Sequence, residues 1–218
     1  MSREEPELRI RPYRAEDRTA VRSIAFATGY MGEPVDWLWG DRETFADVIT
    51  RYYTDREPES LLVGECDGTV VGYLSGCVDS RAAAGSAARE IGRIVRRGGF
   101  LRRGMAAFFW RSIFDLARDR SVRDDVLHDP RFPAHLHVDL LPEGRGRGLG
   151  RRLVHAWLGR LRERGVPGVH LGTFAENAGA LRFFSGFGFA HHGTPLPVPG
   201  FRTRGGARMH VQWMVRSL

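Results

Sequence analysis

Residues 142–152 read PEGRGRGLGRR and stand between an apolar run, HLHVDLLP, and a stretch with helical spacing. Glycines at positions 144, 146, 148 and 150 let a backbone turn sharply and leave its N–H groups unobstructed. A helix that begins there adds roughly half a positive charge at its N-terminus. Between Arg145 and Arg164 there are seven arginines and one acid, Glu163. The combination is an anion cradle, and the ligand chemistry that fits it is phosphate. Just upstream, His135, His137 and Asp139 recur at period two and so share one face of a strand, where an imidazole or a carboxylate can relay a proton. Histidines buried against backbone or neighbouring strands would give the same pattern, and both readings stand at this point. The HxHxD spacing also occurs in metallohydrolase sites, but Leu140 stands where a second His would follow the Asp and no further ligand cluster is evident, so no metal is expected.

Spacing separates the phosphate motifs that compete for this loop. A Walker loop needs GxxxxGK[ST], and all 33 basic residues of the chain are Arg, with no Lys anywhere. A dinucleotide fingerprint, GxGxxG, is approached only loosely, and it would have to open a parallel βαβ unit rather than follow an antiparallel hairpin. The formal charge of +7 and a pI near 10.3 would suit nucleic acid. An Arg-only composition is, however, what a GC-rich coding bias produces, so no nucleic-acid partner is expected. Affinity falling steeply with salt would be the mark of that alternative.

The elements that must position these residues are legible from periodicity. Leu8 to Tyr13 alternates as a strand; 15–28 has helical spacing with acids in its first turn; a second helix is expected over about 43–53. SLLVGECDGTVVGYLSGCV places Asp67-Gly68 between two β-branched runs, a hairpin signal. Residues 79–133 lack strand patterning and read as a helical insertion or lid, broken at Gly98-Gly99, with arginines beside Phe108, Phe109, Trp110, Ile113 and Phe114. After HLHVDLLP come a helix over 149–164, the strand VHLGT, a helix capped by Asn177, and two closing strands, with TPLPVPGF as the linker between them. The expectation is a single α/β domain over 1–218 with a mixed, mostly antiparallel central sheet flanked by helices.

Arg145-Gly146-Arg147-Gly148-Leu149-Gly150 matches [RQ]xxGx[GA], the phosphate loop of the GNAT acetyltransferase superfamily, and the chain resembles that family well beyond the loop. AENAGALRFFSGFGF is similar to its NxxAxxFYxxxGF element, and IRPYRAEDRTAV and the DG hairpin fall where the fold places its first strand, first helix and second hairpin. HLHVDLLP and RERGVPGVHLG are also similar to the acetyltransferase-like domain related to enzymes that remove O-linked N-acetylglucosamine. The resemblance implies acetyl-CoA as co-substrate, with pyrophosphate on the N–H groups of Gly146, Arg147, Gly148, Leu149 and Gly150. Arg145, Arg147 and Arg151 would meet phosphates, the main chain of Leu140 and Leu141 would pair with the pantetheine arm, and the side chain of Asn177 would lie beside it. Acetyl transfer to a primary amine would then use His137 and Asp139 as the catalytic pair and the Leu140 N–H as oxyanion donor. Two features cut against full activity. Relatives with a His pair on this strand carry it one residue earlier, which reverses the face. Phe184 also stands where many relatives have a Tyr that protonates the departing thiolate. The alternative is therefore a catalytically weak or silent acyl-CoA-binding or protein-interaction module.

Two cysteines, Cys66 and Cys77, are too few for a disulfide framework, the opening MSREEPELRIRPYR is charged where a secretory leader would be apolar, and the longest apolar run tempting as a span, Met105 to Trp110, is six residues long. A cytoplasmic location is expected. A basic amphipathic segment can lie on a membrane, yet an aromatic stripe more commonly forms core or dimer interface, so the expected partners are an amine acceptor and a second copy of the chain, with no membrane. No motif names the acceptor.

Overall fold

The computed structural model describes residues 7–102, 104–119 and 127–218. Seven strands form one sheet in the order β1-β2-β3-β4-β5-β7-β6. They are β1 (Leu8–Pro12), β2 (Leu61–Cys66), β3 (Thr69–Cys77), β4 (Ala134–Leu140), β5 (Gly168–Phe174), β6 (Ala190–Arg202) and β7 (Arg208–Ser217). Neighbours are antiparallel except β4 and β5, which run parallel. The β2–β3 hairpin turns through Asp67 and Gly68, both at positive φ (49° and 76°), the backbone that a two-residue hairpin of native twist demands.

Strand parity divides the core into two faces. Ala134, Leu136, Val138 and Leu140 of β4 join Leu74 under helix α6 (Leu149–Glu163), whose Leu153, Val154, Trp157, Leu158 and Leu161 are all buried. α6 comes very close to the sheet, because a Cβ at Gly76 would lie 2.3 Å from the Trp157 ring. Helix α7 (Ala178–Ser185) adds Phe184 to the same cluster. The opposite face carries α1 (Arg18–Thr28), which packs Val21, Ile24 and Ala25 onto Leu61, Val63 and Tyr73, and α2 (Arg42–Asp55) beside it.

The expected first helix is interrupted: Ala15–Asp17 forms a 3-10 turn, and α1 begins only at Arg18. The cause is Asp17, whose carboxylate accepts the Arg14 N–H and grips the Arg11 guanidinium at 2.7 and 2.8 Å. The stretch TPLPVPGF is not a linker. It lies within β6, which pairs with β7 through two register shifts and sits at the sheet edge, where proline is tolerated. Within 79–133 the described elements are helices, α3 (Ser80–Ala83), α4 (Ser86–Arg96), a 3-10 turn (Gly99–Leu101) and α5 (Ala106–Arg118), and residues 127–133 lead into β4 without regular structure. Gly98 breaks the run at φ 69°. Phe108, Phe109 and Met105 bury against Trp39 and Met209 in a second cluster. Asp115, buried on the inner side of α5, accepts from both guanidinium nitrogens of Arg202 (2.7 and 2.8 Å), from Arg208 (2.8 Å) and from the Gly200 N–H (2.9 Å), and so pins α5 to the β6–β7 hairpin.

Candidate active site

β4 and β5 pair only at Ala134↔Val169 and His135↔His170. Beyond those two rungs β5 continues along β7 as far as Phe174, while β4 stays with β3, so a wedge opens between the C-terminal halves of β4 and β5. Leu141 donates its N–H to Val71 and accepts from Gly144 N–H, at 2.8 and 3.0 Å. By strand alternation Leu140 must turn its N–H and carbonyl the other way, to the side β5 has left. Both main-chain groups of Leu141, expected to pair with a pantetheine arm, are thus occupied, and Leu140 is the residue that presents main chain to the wedge.

The glycine turn stands at the end of β4. Gly146 and Gly148 have φ of 72° and 80°, and a Cβ on either would meet nothing within 4 Å, so the turn faces open space. Gly148 is the N-cap of α6 and offers no side-chain acceptor to the helix's first N–H groups. These donors and the positive end of the helix dipole are what a phosphate needs. The arginines divide the remaining work unevenly. Arg145 is folded back, donating from Nε to the Leu140 carbonyl (2.9 Å) and from its terminal nitrogen to the Gly32 carbonyl (2.5 Å) in the connection between α1 and α2. Arg152 bonds the Leu8 carbonyl at 3.0 Å, and Arg151 lies over the Phe187 ring at 5.3 Å. Arg147 is exposed beside the turn, with only a long 3.7 Å contact to the Cys66 sulfur. Asn177 caps α7, its Oδ1 accepting the Ala180 N–H at 3.0 Å.

On the α1 face of β4, His137 Nε2 lies 3.0 Å from Asp139 Oδ2, and the same oxygen accepts the Tyr73 hydroxyl at 2.7 Å. Desolvation opposes the charge on each partner, more for the largely buried Asp139 than for His137, whose ring reaches solvent. The carboxylate nevertheless raises the His137 pKa above its usual 6.5, while Asp139 is held below its usual 3.8 by His137 and by hydrogen bonds from Tyr73 and Thr28. Tyr73 itself is a fixed donor, because burial and the neighbouring carboxylate push its pKa well up. His135 takes the other course. Its Nε2 meets the Tyr53 hydroxyl at 2.6 Å and its Nδ1 the Ser80 hydroxyl at 2.7 Å; burial pushes its pKa down to about 3, and it is neutral. His170, next to it across the rungs, holds the Phe132 carbonyl at 2.8 Å. The structure separates the two histidines: His135 is a satisfied core residue, whereas His137 is solvent-accessible and paired with a carboxylate.

Sequence reasoning missed Tyr73, Thr28 and Ser80; Tyr53 reads in the sequence, with Trp37, Trp39 and Tyr52, as part of an aromatic-lined pocket, whereas its hydroxyl is the partner of His135. Tyr73 had a usable signal, since the β3–β4 register sets it opposite Asp139. Phe184 is buried among Phe183 and Phe189, at ring distances of 5.1 and 5.8 Å. Among the described residues no three His, Cys, Asp or Glu side chains gather as metal ligands.

An open sheet that splays between a parallel pair, with a glycine turn leading into a helix at the splay, is the GNAT architecture. Residues 123–189 match the family model of the acetyltransferase (GNAT) family. A mycothiol acetyltransferase of Nocardia farcinica is 30% identical over 189 residues, covering 80% of this chain and 58% of that protein. Another, from Nocardiopsis dassonvillei, is 47% identical over 53 residues, 24% of this chain and 16% of that protein. The chain thus spans little more than half the length of the curated relatives it matches, or less. Among solved structures, that of SsHAT superposes with a TM-score of 0.64 at 27% identity over 97% of this chain and 98% of that one. The yncA protein of Salmonella typhimurium, solved with its cofactor acetyl-CoA, superposes at 0.57 and 19% identity over 97% and 94%. Residues 123–189 thus match the GNAT acetyltransferase family, and the sheet shares the fold of these solved structures.

Proposed function

We propose that the chain is an acetyl-CoA-dependent N-acetyltransferase that moves the acetyl group directly onto a primary amine of a small molecule. The observation that supports this best is the wedge itself: an uncapped glycine turn for the nucleotide phosphates and a His–Asp couple meet on one strand, β4, where β5 has departed. The N–H groups from Gly146 to Gly150, with Arg147 and Arg151 nearby, would hold the pyrophosphate, and acetyl-CoA brings the reactive thioester. On the other side of β4, His137 accepts the proton of the incoming ammonium or amine. Asp139 orients the imidazole and stabilises its charged form, and Tyr73 keeps Asp139 ionised and in place. The Leu140 N–H is the donor available to an oxygen that gains negative charge in the wedge.

The names of the curated relatives support a small-molecule acceptor. The test is titration calorimetry with acetyl-CoA, followed by thiol release across a panel of small amines, mycothiol-type acceptors and peptide N-termini. Acetyl-CoA binding with turnover on one class of amine is the expected outcome, and no binding at all would sink the reading. A second reading, an acyl-CoA-binding module with weak or no turnover, rests on Phe184, which brings no hydroxyl to the site. A thiol of pKa about 8.5 leaves as thiolate at a cost of roughly 2 kcal/mol near neutral pH, so the loss slows catalysis without forbidding it. Binding without turnover on any acceptor would favour this second reading.

A further inference from the structure

Helix α5 is built inside out. Its inner side carries the Asp115 ion network together with Phe108 and Phe109, whereas its outer side presents Trp110, Ile113 and Phe114 at 71, 56 and 64% exposure. Leu101, in the turn leading into it, is 78% exposed, and Phe100 beside it 40%. The remaining residues on that side, at 106, 107 and 117, are alanines, and no charge interrupts it between Ala106 and Ala117: of the helix's ionisable groups, Asp115 is buried, Arg111 half-buried, and Arg118 closes the helix. Single exposed apolar residues are ordinary, but three turns of uncharged, aromatic helix surface mark a docking face.

The surrounding charge selects the occupant. Residues 93–119 contain seven arginines and two acids, and one of those acids, Asp115, is committed to Arg202 and Arg208. Arg93 and Arg102 are neutralised by Glu90 and Asp41, while Arg96, Arg97 and Arg118 are exposed at the two ends of the patch. A second copy seated face to face would bring the same arginines together, so the partner must be apolar at its centre and negative at its rim. The patch is also the convex side of a helix rather than a groove, and its aromatic side chains suit the boundary between headgroups and acyl chains.

We propose that α5 and the turn before it seat the protein on an anionic lipid bilayer, with Leu101, Trp110, Ile113 and Phe114 in the headgroup boundary and the arginines on the lipid phosphates.

The experiment is co-sedimentation of the full chain with vesicles of phosphatidylglycerol and phosphatidylcholine, against pure phosphatidylcholine. Light scattering on the same samples reports the oligomeric state. Two surface variants, Trp110→Ser/Phe114→Ser and Arg96→Gln/Arg97→Gln, are checked for an unchanged melting curve and circular dichroism spectrum. Each arginine near an anionic surface strengthens attachment about fivefold, so the arginine pair should weaken partitioning by about thirtyfold. The apolar pair should abolish partitioning, and pure phosphatidylcholine should bind little. Absence of binding to anionic vesicles, equal binding to both lipids, or binding that survives the apolar pair would overturn the proposal. So would a dimer that the apolar pair dissociates in a protein that ignores vesicles, an outcome that would assign the face to a second copy.

Discussion

The two faces of β4 were written by the same seven residues, yet they are held together by different physics. Toward α6, Ala134, Leu136, Val138 and Leu140 contribute shape: they fill space against Leu74, Leu153 and Trp157, and another apolar side chain of similar volume would serve. Toward α1, His135, His137 and Asp139 contribute specific partners, each bonded to a named hydroxyl, carboxylate or ring nitrogen. Burying such groups is costly unless every one is satisfied, so the polar face tolerates little exchange. The lesson is that period-two alternation lets one strand serve a packed core and a face of paired polar groups at once, with the glycine turn at the point where the strand ends.

Four experiments would break or sharpen that contrast. The largest effect is expected at the turn. Gly148→Val forces a β-branched residue into φ 80° and should weaken acetyl-CoA binding by roughly 100-fold in calorimetry, while the melting temperature falls by only a few degrees. On the polar face, Asp139→Asn should lower kcat/KM by about 100-fold. It should also move the rising limb of the pH profile to lower pH, because the carboxylate is what lifts the His137 pKa above 6.5 and the imidazole must be neutral to accept a proton. An unmoved limb would break the assignment. On the apolar face, Gly76→Ala puts a methyl 2.3 Å from the Trp157 ring and should cost about 1–3 kcal/mol in denaturant unfolding. It should leave the pH profile alone. The smallest effect is Tyr73→Phe, which removes one hydrogen bond to Asp139 and should lower kcat/KM by about tenfold with a small change in stability.

The acid limb of stability tests the same face. His135 is held neutral, with its pKa down at about 3 against an ordinary 6.5. The unfolded chain therefore binds more protons than the folded one between those values, and stability that is complete above 6.5 should fall as pH drops toward 3. Thermal melting across that window checks it, and a flat profile would contradict the buried, neutral assignment.

Most of the frame was legible because it rests on local rules. The DG hairpin, the α6 pattern and Asn177 as a cap follow from φ preferences, helical period and capping chemistry, and all three appear where expected. What escaped was non-local. TPLPVPGF reads as a linker because prolines usually interrupt ladders, and only the edge position of β6 makes it a strand. In the site, the face assignment of His137 and Asp139 followed from parity, but the difference between His135 and His137 did not: Tyr53 and Ser80 arrive from α2 and α3, 82 and 55 residues away. Arg145 looks like a phosphate ligand in the motif, while here its guanidinium joins Leu140 to Gly32, 113 residues distant.

The composition of β6 carries one more consequence. Pro195, Pro197 and Pro199 occur at alternate positions of the outermost strand, and a proline has no N–H to give. That border therefore lacks a regular row of donors with which a strand of another molecule could register, and the ladder stops there. Assembly by extending the sheet from copy to copy is blocked on this side, and any quaternary contact made there has to rely on side chains.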